Sequence, residues 1–71
     1  MASIAKVIEV EAEGDTVEEA VESAVDGASR SVRNIESVYV RDIEAVIEDN
    51  RVAHYRVDTK ITFLVEGGEA G

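Results

Sequence analysis

Two long β-type segments, residues 37–48 and 52–65, constrain the fold of this chain more than any other feature. Both are rich in β-branched and aromatic residues, Val, Ile and Tyr in the first segment and Val, Ile, Thr, Tyr and Phe in the second. In the second segment one parity is mostly apolar, and it comprises Tyr55, Val57, Thr59, Ile61 and Phe63. Alternation with a period of two is typical of half-buried antiparallel strands. The Glu48-Asp49-Asn50-Arg51 stretch predicts a hairpin turn, because Asp and Asn tolerate positive φ.

The rest of the chain is too small to cover such a hairpin. The whole sequence has 71 residues, enough for one domain, and a chain of that size buries only about 60% of its unfolded surface. Cysteine is absent and there is a single histidine, which excludes disulfides and zinc sites built from nitrogen and sulfur ligands. Association with further copies is the remaining source of stability.

The N-terminal half predicts one strand and one helix. Residues 5–11 form a short β-branched run. From Val17 to Ile35, apolar residues recur at steps of three and four, which predicts a helix over 16–35. Asp15 is the expected N-cap, with Glu18 at capping-box spacing, and Arg30 and Arg33 are expected in the last turns. We interpret Gly27 as a site of close packing against the sheet, and residues 66–71 as a flexible tail.

The net negative charge limits the classes of molecule that the protein can bind. Sixteen acidic residues against seven basic ones give a net charge of -9, and such a surface repels phosphate backbones and anionic membranes. No stretch approaches the roughly 20 apolar residues of a membrane helix, and no signal peptide is evident, so we expect a cytoplasmic protein. Lysine is scarce and carboxylates are dense, a balance that suits a salt-rich, halophilic cytoplasm.

Candidates for catalysis are missing. The serines share one histidine, and His54 falls on the polar parity of its strand, where an ordinary surface or interface residue is expected. We therefore predict that the protein is not an enzyme. Asp42 and Glu44 share one face of a strand and are the candidate ligands for a hard cation such as Ca²⁺ or Mg²⁺. No EF-hand spacing is present, so any metal site would have to assemble between subunits.

Order, spacing and length together resemble the dodecin family over about residues 6–64. The residues that carry the resemblance are Lys6-Val7-Ile8-Glu9, the helix from Val17-Glu18-Glu19-Ala20 to Arg33-Asn34-Ile35, His54-Tyr55-Arg56-Val57 and Lys60-Ile61-Thr62-Phe63. The resemblance implies an α+β fold of order β-α-β-β in one domain spanning 1–71, whose three-stranded antiparallel sheet partly wraps the helix. It also implies a hollow homododecamer with 23 symmetry that stores or sequesters flavins between subunits, on two-fold axes.

The chain departs from the family pattern at both flavin contacts. In dodecins a tryptophan at the start of the second strand stacks on the flavin ring, and a glutamine in the third strand hydrogen-bonds to its edge. Ser37 and Arg56 stand at these positions. Serine offers no stacking surface, and arginine has donors but no acceptor. The chain is similar here to dodecins that lack this tryptophan, bind no flavin and associate with calcium.

We therefore expect a non-enzymatic shell that binds or stores a small ligand at an altered flavin site. FMN, FAD or riboflavin at weakened affinity is one alternative, and a structural shell that binds only Ca²⁺ or Mg²⁺ is another. A further alternative is that Ser37 and Arg56 bind no ligand and are solvated residues that line a wet two-fold channel.

Overall fold

The computed structural model describes residues 4–65. Its elements are β1 (Ile4–Gly14), α1 (Val17–Ser29), β2 (Ile35–Glu48) and β3 (Arg51–Val65), in that order. The predicted β-α-β-β order is confirmed. β1 extends at both ends beyond the predicted 5–11, and β2 and β3 start slightly earlier than predicted. The predicted tail, residues 66–71, lies outside the described residues.

The three strands form one antiparallel sheet in the order β1-β3-β2. The longest strand, β3, lies in the centre and pairs with both neighbours along almost its full length. The hairpin turn is confirmed, because Asp49 and Asn50 have φ of 54° and 63°. Two consecutive residues with positive φ match the right-handed twist of the flanking strands.

α1 packs on one face of this sheet through a narrow stripe of small residues. The buried residues are three alanines of the helix and four alternate residues of β3, namely Ala20, Ala24, Ala28, Val57, Thr59, Ile61 and Phe63. Thr59 is the buried polar residue of this group, and its Oγ1 donates a hydrogen bond of 2.7 Å to the carbonyl of Val10. The predicted apolar parity of β3 is thus confirmed from Val57 to Phe63.

The first turn of α1 is capped one residue later than predicted. The N-cap is Thr16, whose Oγ1 accepts a 3.0 Å hydrogen bond from the N–H of Glu19. The Glu19 carboxylate in turn accepts from the N–H of Asp15 at 3.2 Å. The predicted pair of Asp15 and Glu18 is therefore wrong by one position, because Thr16 takes the extended conformation that a cap requires.

The helix also ends earlier than predicted, at Ser29 and not at residue 35. Arg30 is the C-cap, the last helical turn contains no basic residue, and Asn34 turns the chain with a φ of 61°. The reason is a contact with a distant strand. The carbonyl of Asn34 accepts a 3.0 Å hydrogen bond from the N–H of Leu64 on β3, and this pairing begins β2 at Ile35. Val32 and Ile35 still pack against the core cluster, but from the loop and from β2.

Gly14, the last residue of β1, and Gly27, within α1, have opposite surroundings. A Cβ at Gly14 would lie 2.5 Å from the backbone nitrogen of Ala20 and 2.8 Å from the carbonyl carbon of Glu19, so the end of β1 and the first turn of α1 touch through their backbones. A Cβ at Gly27 would have no heavy atom within 4 Å apart from the neighbouring backbone of its own helix. The prediction that Gly27 packs closely against the sheet is therefore wrong for the protomer.

The protomer is elongated, with extents of 57 × 19 × 13 Å and a radius of gyration of 15.0 Å. A compact domain of this length has a radius of gyration of about 11 Å. The cause is the mismatch between α1, about 20 Å long, and strands of about 50 Å. The β2–β3 hairpin projects beyond α1, and Ile43, Ile47 and Val52 on its helix-side surface are more than half exposed, at 57%, 54% and 52%.

Candidate functional site

The candidate site lies on the sheet face that points away from α1, called the outer face below. Strand register places on it Val7, Glu9, Glu11 and Glu13 from β1, Ser37, Tyr39, Asp42 and Glu44 from β2, and Arg56, Asp58, Lys60 and Thr62 from β3. Successive side chains of a strand point to opposite faces. The outer face therefore carries the residues of β3 that alternate with the buried ones, together with their partners on β1 and β2.

The outer face does not alternate simply, because β2 contains bulges. Its register shifts between Ile35 and Ser37 and again between Val40 and Asp42. A bulge adds one residue to a strand and re-aims its side chain. The second bulge brings Arg41 to the outer face beside Asp42, where Nη1 of Arg41 lies 3.4 Å from a carboxylate oxygen of Glu9 and 3.8 Å from one of Asp58. Counting alternate residues forward from Ser37 reaches Arg41 but misses Asp42, whereas counting back from Glu44 reaches Asp42 but misses Arg41.

Both predicted ligand residues lie on the outer face, but a single protomer does not bring them together. Ser37 pairs with Thr62, whereas Arg56 pairs with Glu13 on β1 and Glu44 on β2. Thr62 and Arg56 are six residues apart on β3, which separates the two candidates by about 20 Å. One ligand can contact both positions only if they come from different copies of the chain.

Carboxylates on both sides hold Arg56 in place. Its Nε donates a 3.1 Å hydrogen bond to Glu13, and its Nη1 donates a 2.9 Å hydrogen bond to Glu44. The hydrogen bond to Glu13, then that to Glu44, raise the pKa of Arg56 above its ordinary value. The guanidinium is thus a fixed positive charge whose bound donors face neighbouring strands. It does not reproduce an amide that gives and accepts hydrogen bonds with a ligand.

The second oxygen of Glu13 faces His54. Nε2 of His54 lies 3.0 Å from Oε1 of Glu13, although this close contact is not aligned as a hydrogen bond. Glu13 is therefore shared between Arg56 and His54 at the edge of the projecting hairpin. This position agrees with the expectation that His54 is a surface or interface residue, although it does not test its role.

The candidate metal ligands Asp42 and Glu44 share the outer face, as their spacing predicts. Asp42 lies opposite Asp58 and 3.8 Å from Nε of Arg41, and Glu44 is bound by Arg56 at 2.9 Å. Within residues 4–65 there is no group of three or more His, Asp or Glu side chains placed to hold a metal ion. The assignment of a Ca²⁺ or Mg²⁺ site to these two residues stays a prediction.

The end of the outer face near Ser37 differs from the carboxylate-rich end. There Val7 faces Thr62 and Thr62 faces Ser37, and in the next row Lys60 lies between Glu9 on β1 and Tyr39 on β2. Tyr39 is 65% exposed, a larger fraction than that of Ile4, Val7, Ile43, Ile47 or Val52. Tyr39 was not singled out from the sequence, although it follows Ser37 by two residues and hence shares its face.

Within residues 4–65, no helix is both long enough and apolar enough to cross a bilayer.

Comparison with known proteins agrees with this geometry. The family model described as Dodecin matches residues 4–66. The solved structure of a dodecin from Streptomyces coelicolor is 34% identical, with a TM-score of 0.84, and the match covers 93% of this chain and 96% of that one. A dodecin from Streptomyces davaonensis is 19% identical, with a TM-score of 0.87 and coverage of 94% and 100%.

A third structure, of a protein from Thermus thermophilus, is 22% identical, with a TM-score of 0.87 and coverage of 94% and 100%. At these two lower identities the likeness shows a shared fold. No curated protein matches the chain at a significant level.

Proposed function

The chain belongs to the dodecin family, and on that premise we propose that it is a non-enzymatic protein that binds or stores a small ligand within a hollow shell of twelve copies. The observation that carries the proposal is the length of hairpin that the protomer leaves uncovered. It supports assembly because Ile43, Ile47 and Val52 expose apolar surface beside one another on the helix side of the projection. Exposed apolar patches of this kind mark contact surfaces.

The assembly is tested by measuring mass in solution. The expected species has about twelve times the protomer mass of 7.7 kDa. Ile47→Asp, which places a charge on the projecting hairpin, should shift the population to smaller species. Ile47→Val is the matched control, because it keeps an apolar side chain at the same place on the projecting hairpin and should leave the mass unchanged. A folded wild-type protomer near 8 kDa at working concentration would refute the shell.

The ligand is proposed to differ from the flavin complex that the family resemblance implies, and two features support the difference. Ser37 supplies no ring on which a flavin could stack, and Arg56 is bound by two carboxylates at 3.1 and 2.9 Å. A flavin bound in the family manner would lack its aromatic stacking partner at residue 37, and Arg56 would have to break an ion pair before it could contact the flavin. The site therefore favours a ligand held by other contacts, with flavin binding at weakened affinity as the alternative.

A second candidate function, a structural shell that binds only cations, is favoured by the carboxylates of the outer face. The central row of this face places Glu11, Asp58 and Asp42 opposite one another across the three strands, with Arg41 the nearby cation. Hard cations such as Ca²⁺ and Mg²⁺ bind oxygen ligands. In the assembled shell, neighbouring copies would have to complete any such site.

Two titrations distinguish these functions. Calorimetry with Ca²⁺ and Mg²⁺ should give saturable heat that Asp42→Asn reduces if the shell is a cation store, and none if it is not. Riboflavin fluorescence should be quenched only weakly by wild-type protein. Quenching with sub-micromolar affinity would overturn the proposal of an altered flavin site.

The proposed setting is a salt-rich cytoplasm. The net charge of -9 supports this, because repulsion between copies that each carry this charge is relieved when salt shortens the Debye length from about 10 Å at 0.1 M to about 3 Å at 1 M. The shell should therefore be more resistant to dissociation in molar salt. Faster dissociation in molar salt would contradict the proposal.

A further inference from the structure

His54 lies on the outer face of β3, one residue beyond the last pair between β1 and β3. That last pair joins Gly14 to Tyr55, whereas His54 has a partner on β2, Val46, and none on β1. Glu13 nevertheless reaches it, because Oε1 of Glu13 lies 3.0 Å from Nε2 of His54. On the outer face, this contact joins the end of β1 to the projecting part of the hairpin.

The contact depends on the proton of the imidazole. Within residues 4–65, Nε2 of His54 is buried from solvent and has no aligned hydrogen-bond partner. The nearby carboxylate oxygen of Glu13 can only accept. A neutral ring protonated on Nδ1 would turn a lone pair toward that oxygen, and two acceptors repel each other. A ring with both nitrogens protonated is positively charged, and its attraction to the carboxylate depends on the 3.0 Å separation more than on alignment.

The charged groups around His54 leave one negative charge uncompensated. Glu13 on β1 and Glu44 on β2 are both bound to Arg56 of β3, at 3.1 and 2.9 Å, so two carboxylates share one guanidinium. The remaining element, α1, packs on the opposite face of the sheet. A protonated His54 supplies the missing positive charge, and a neutral one leaves the excess in place.

Among the side chains of this sequence, His54 is the one whose type ordinarily changes charge near neutral pH. The chain has one histidine and no cysteine. Carboxylate, lysine and arginine side chains ordinarily keep their charges between about pH 5 and 8. A pH change across this range therefore acts on the outer face through a single imidazole in each copy.

We propose that the contact between His54 and Glu13 is a proton-dependent tie, which fastens the projecting hairpin to the end of β1 when the imidazole is protonated and loosens when the proton is lost. The contact exists only in the folded chain. The stability that it contributes is therefore present below about pH 6 and is lost as the pH rises toward about 8.

The tie also makes the assembly firmer at acidic than at alkaline pH, and this part of the inference rests on the proposed function. Ile47 and Val52, which are proposed to contact other copies, lie on the helix side of the same projection. A hairpin that is held more firmly presents these two side chains in one fixed arrangement, so less order is lost when copies associate.

The experiment compares wild type with His54→Gln by thermal unfolding at pH 5.5 and pH 8.0, with the full chain at one fixed protein and salt concentration. The difference between the two proteins removes every pH effect that they share. His54→Gln should unfold about 2–4 °C below wild type at pH 5.5, since a partly exposed ion pair is lost. At pH 8.0 the difference should fall below about 1 °C.

Two carboxylate variants show whether Glu13 is the partner. In a Glu13→Gln background, His54→Gln should have the same effect at both pH values, because the charge that the imidazole faces is gone. Glu11→Gln is the matched control, since Glu11 is on the same strand and face but pairs with Asp58. The pH-dependent effect of His54→Gln should persist in that background.

The mass of wild type and His54→Gln on dilution is measured at the same two pH values. Wild type should stay assembled at lower concentration at pH 5.5 than at pH 8.0, and His54→Gln should lose most of this difference. A Tm deficit of His54→Gln that is equal at both pH values, or one that Glu11→Gln abolishes as fully as Glu13→Gln, would overturn the tie. A wild-type mass near that of one protomer at both pH values would instead refute the proposed function, and the comparison of Tm values would still decide the tie.

Discussion

Adding the same methyl group at two glycines should change stability in opposite directions. At Gly14 an added Cβ would lie 2.5 Å from the nitrogen of Ala20 and 2.8 Å from the carbonyl carbon of Glu19. Ordinary contacts to a Cβ begin near 3.4 Å, and the obstructing atoms are backbone. Gly14→Ala can be accommodated only if the first turn of α1 moves away from the end of β1.

The magnitudes follow from these surroundings. Overpacking a close contact typically costs 1–3 kcal/mol, and because backbone atoms must move, we expect Gly14→Ala to destabilise by about 3 kcal/mol. Gly27 lies inside α1, and an added Cβ would meet no heavy atom within 4 Å apart from the neighbouring backbone of its own helix, so Gly27→Ala gains only the helix propensity of alanine. That gain is about 1 kcal/mol. The two variants should therefore differ by about 4 kcal/mol.

The assay is thermal unfolding followed by circular dichroism at one fixed protein concentration, because the stability of an assembly depends on concentration. For a domain of this size, 1 kcal/mol corresponds to a shift in Tm of about 4–8 °C. Gly27→Ala should unfold at least a few degrees above wild type, and Gly14→Ala more than about 10 °C below it. The mass of each variant shows whether the proposed assembly forms and is retained.

A Gly14→Ala protein within about 0.5 kcal/mol of wild type would show that the contact between β1 and α1 is looser than the geometry indicates. Destabilisation by Gly27→Ala would refute the reasoning at the other site. In that case the helix surface at Gly27 would be covered by a neighbouring copy, and a loss of assembled mass would identify that contact.

Three further substitutions test other parts of the fold. Thr59→Val keeps the shape of a buried side chain but removes its 2.7 Å hydrogen bond to the carbonyl of Val10, so urea unfolding should show a loss of about 1 kcal/mol; an unchanged midpoint would contradict this. Asn50→Val places a β-branched residue at a φ of 63° and should cost about 1–2 kcal/mol in the same assay, whereas Asn50→Gly should not destabilise. Arg56→Met leaves two carboxylates facing each other across β3, so its Tm should fall below that of wild type in about 0.1 M salt and recover in about 1 M salt; a deficit independent of salt would point to lost packing.

Much of the secondary structure could be predicted from the sequence, because its signals are local. The period of two in Val57, Thr59, Ile61 and Phe63 marks the buried side of β3, and it needs no knowledge of what packs there. The Asp49-Asn50 turn is equally local, since both residues tolerate positive φ. The same period placed Asp42 and Glu44 on one face of β2.

Only the tertiary structure decided where the helix ends and which side chains meet on the outer face. The apolar spacing of α1 continues through Val32 and Ile35, but the hydrogen bond between Leu64 and Asn34 begins β2 there. That partner is thirty residues away, so no local pattern reports it. The bulge that places both Arg41 and Asp42 on the outer face and the strand order β1-β3-β2 are likewise not visible in any local pattern. Local periods determine which residues are buried within an element, whereas the pairing of distant strands determines where each element stops and which charges it faces.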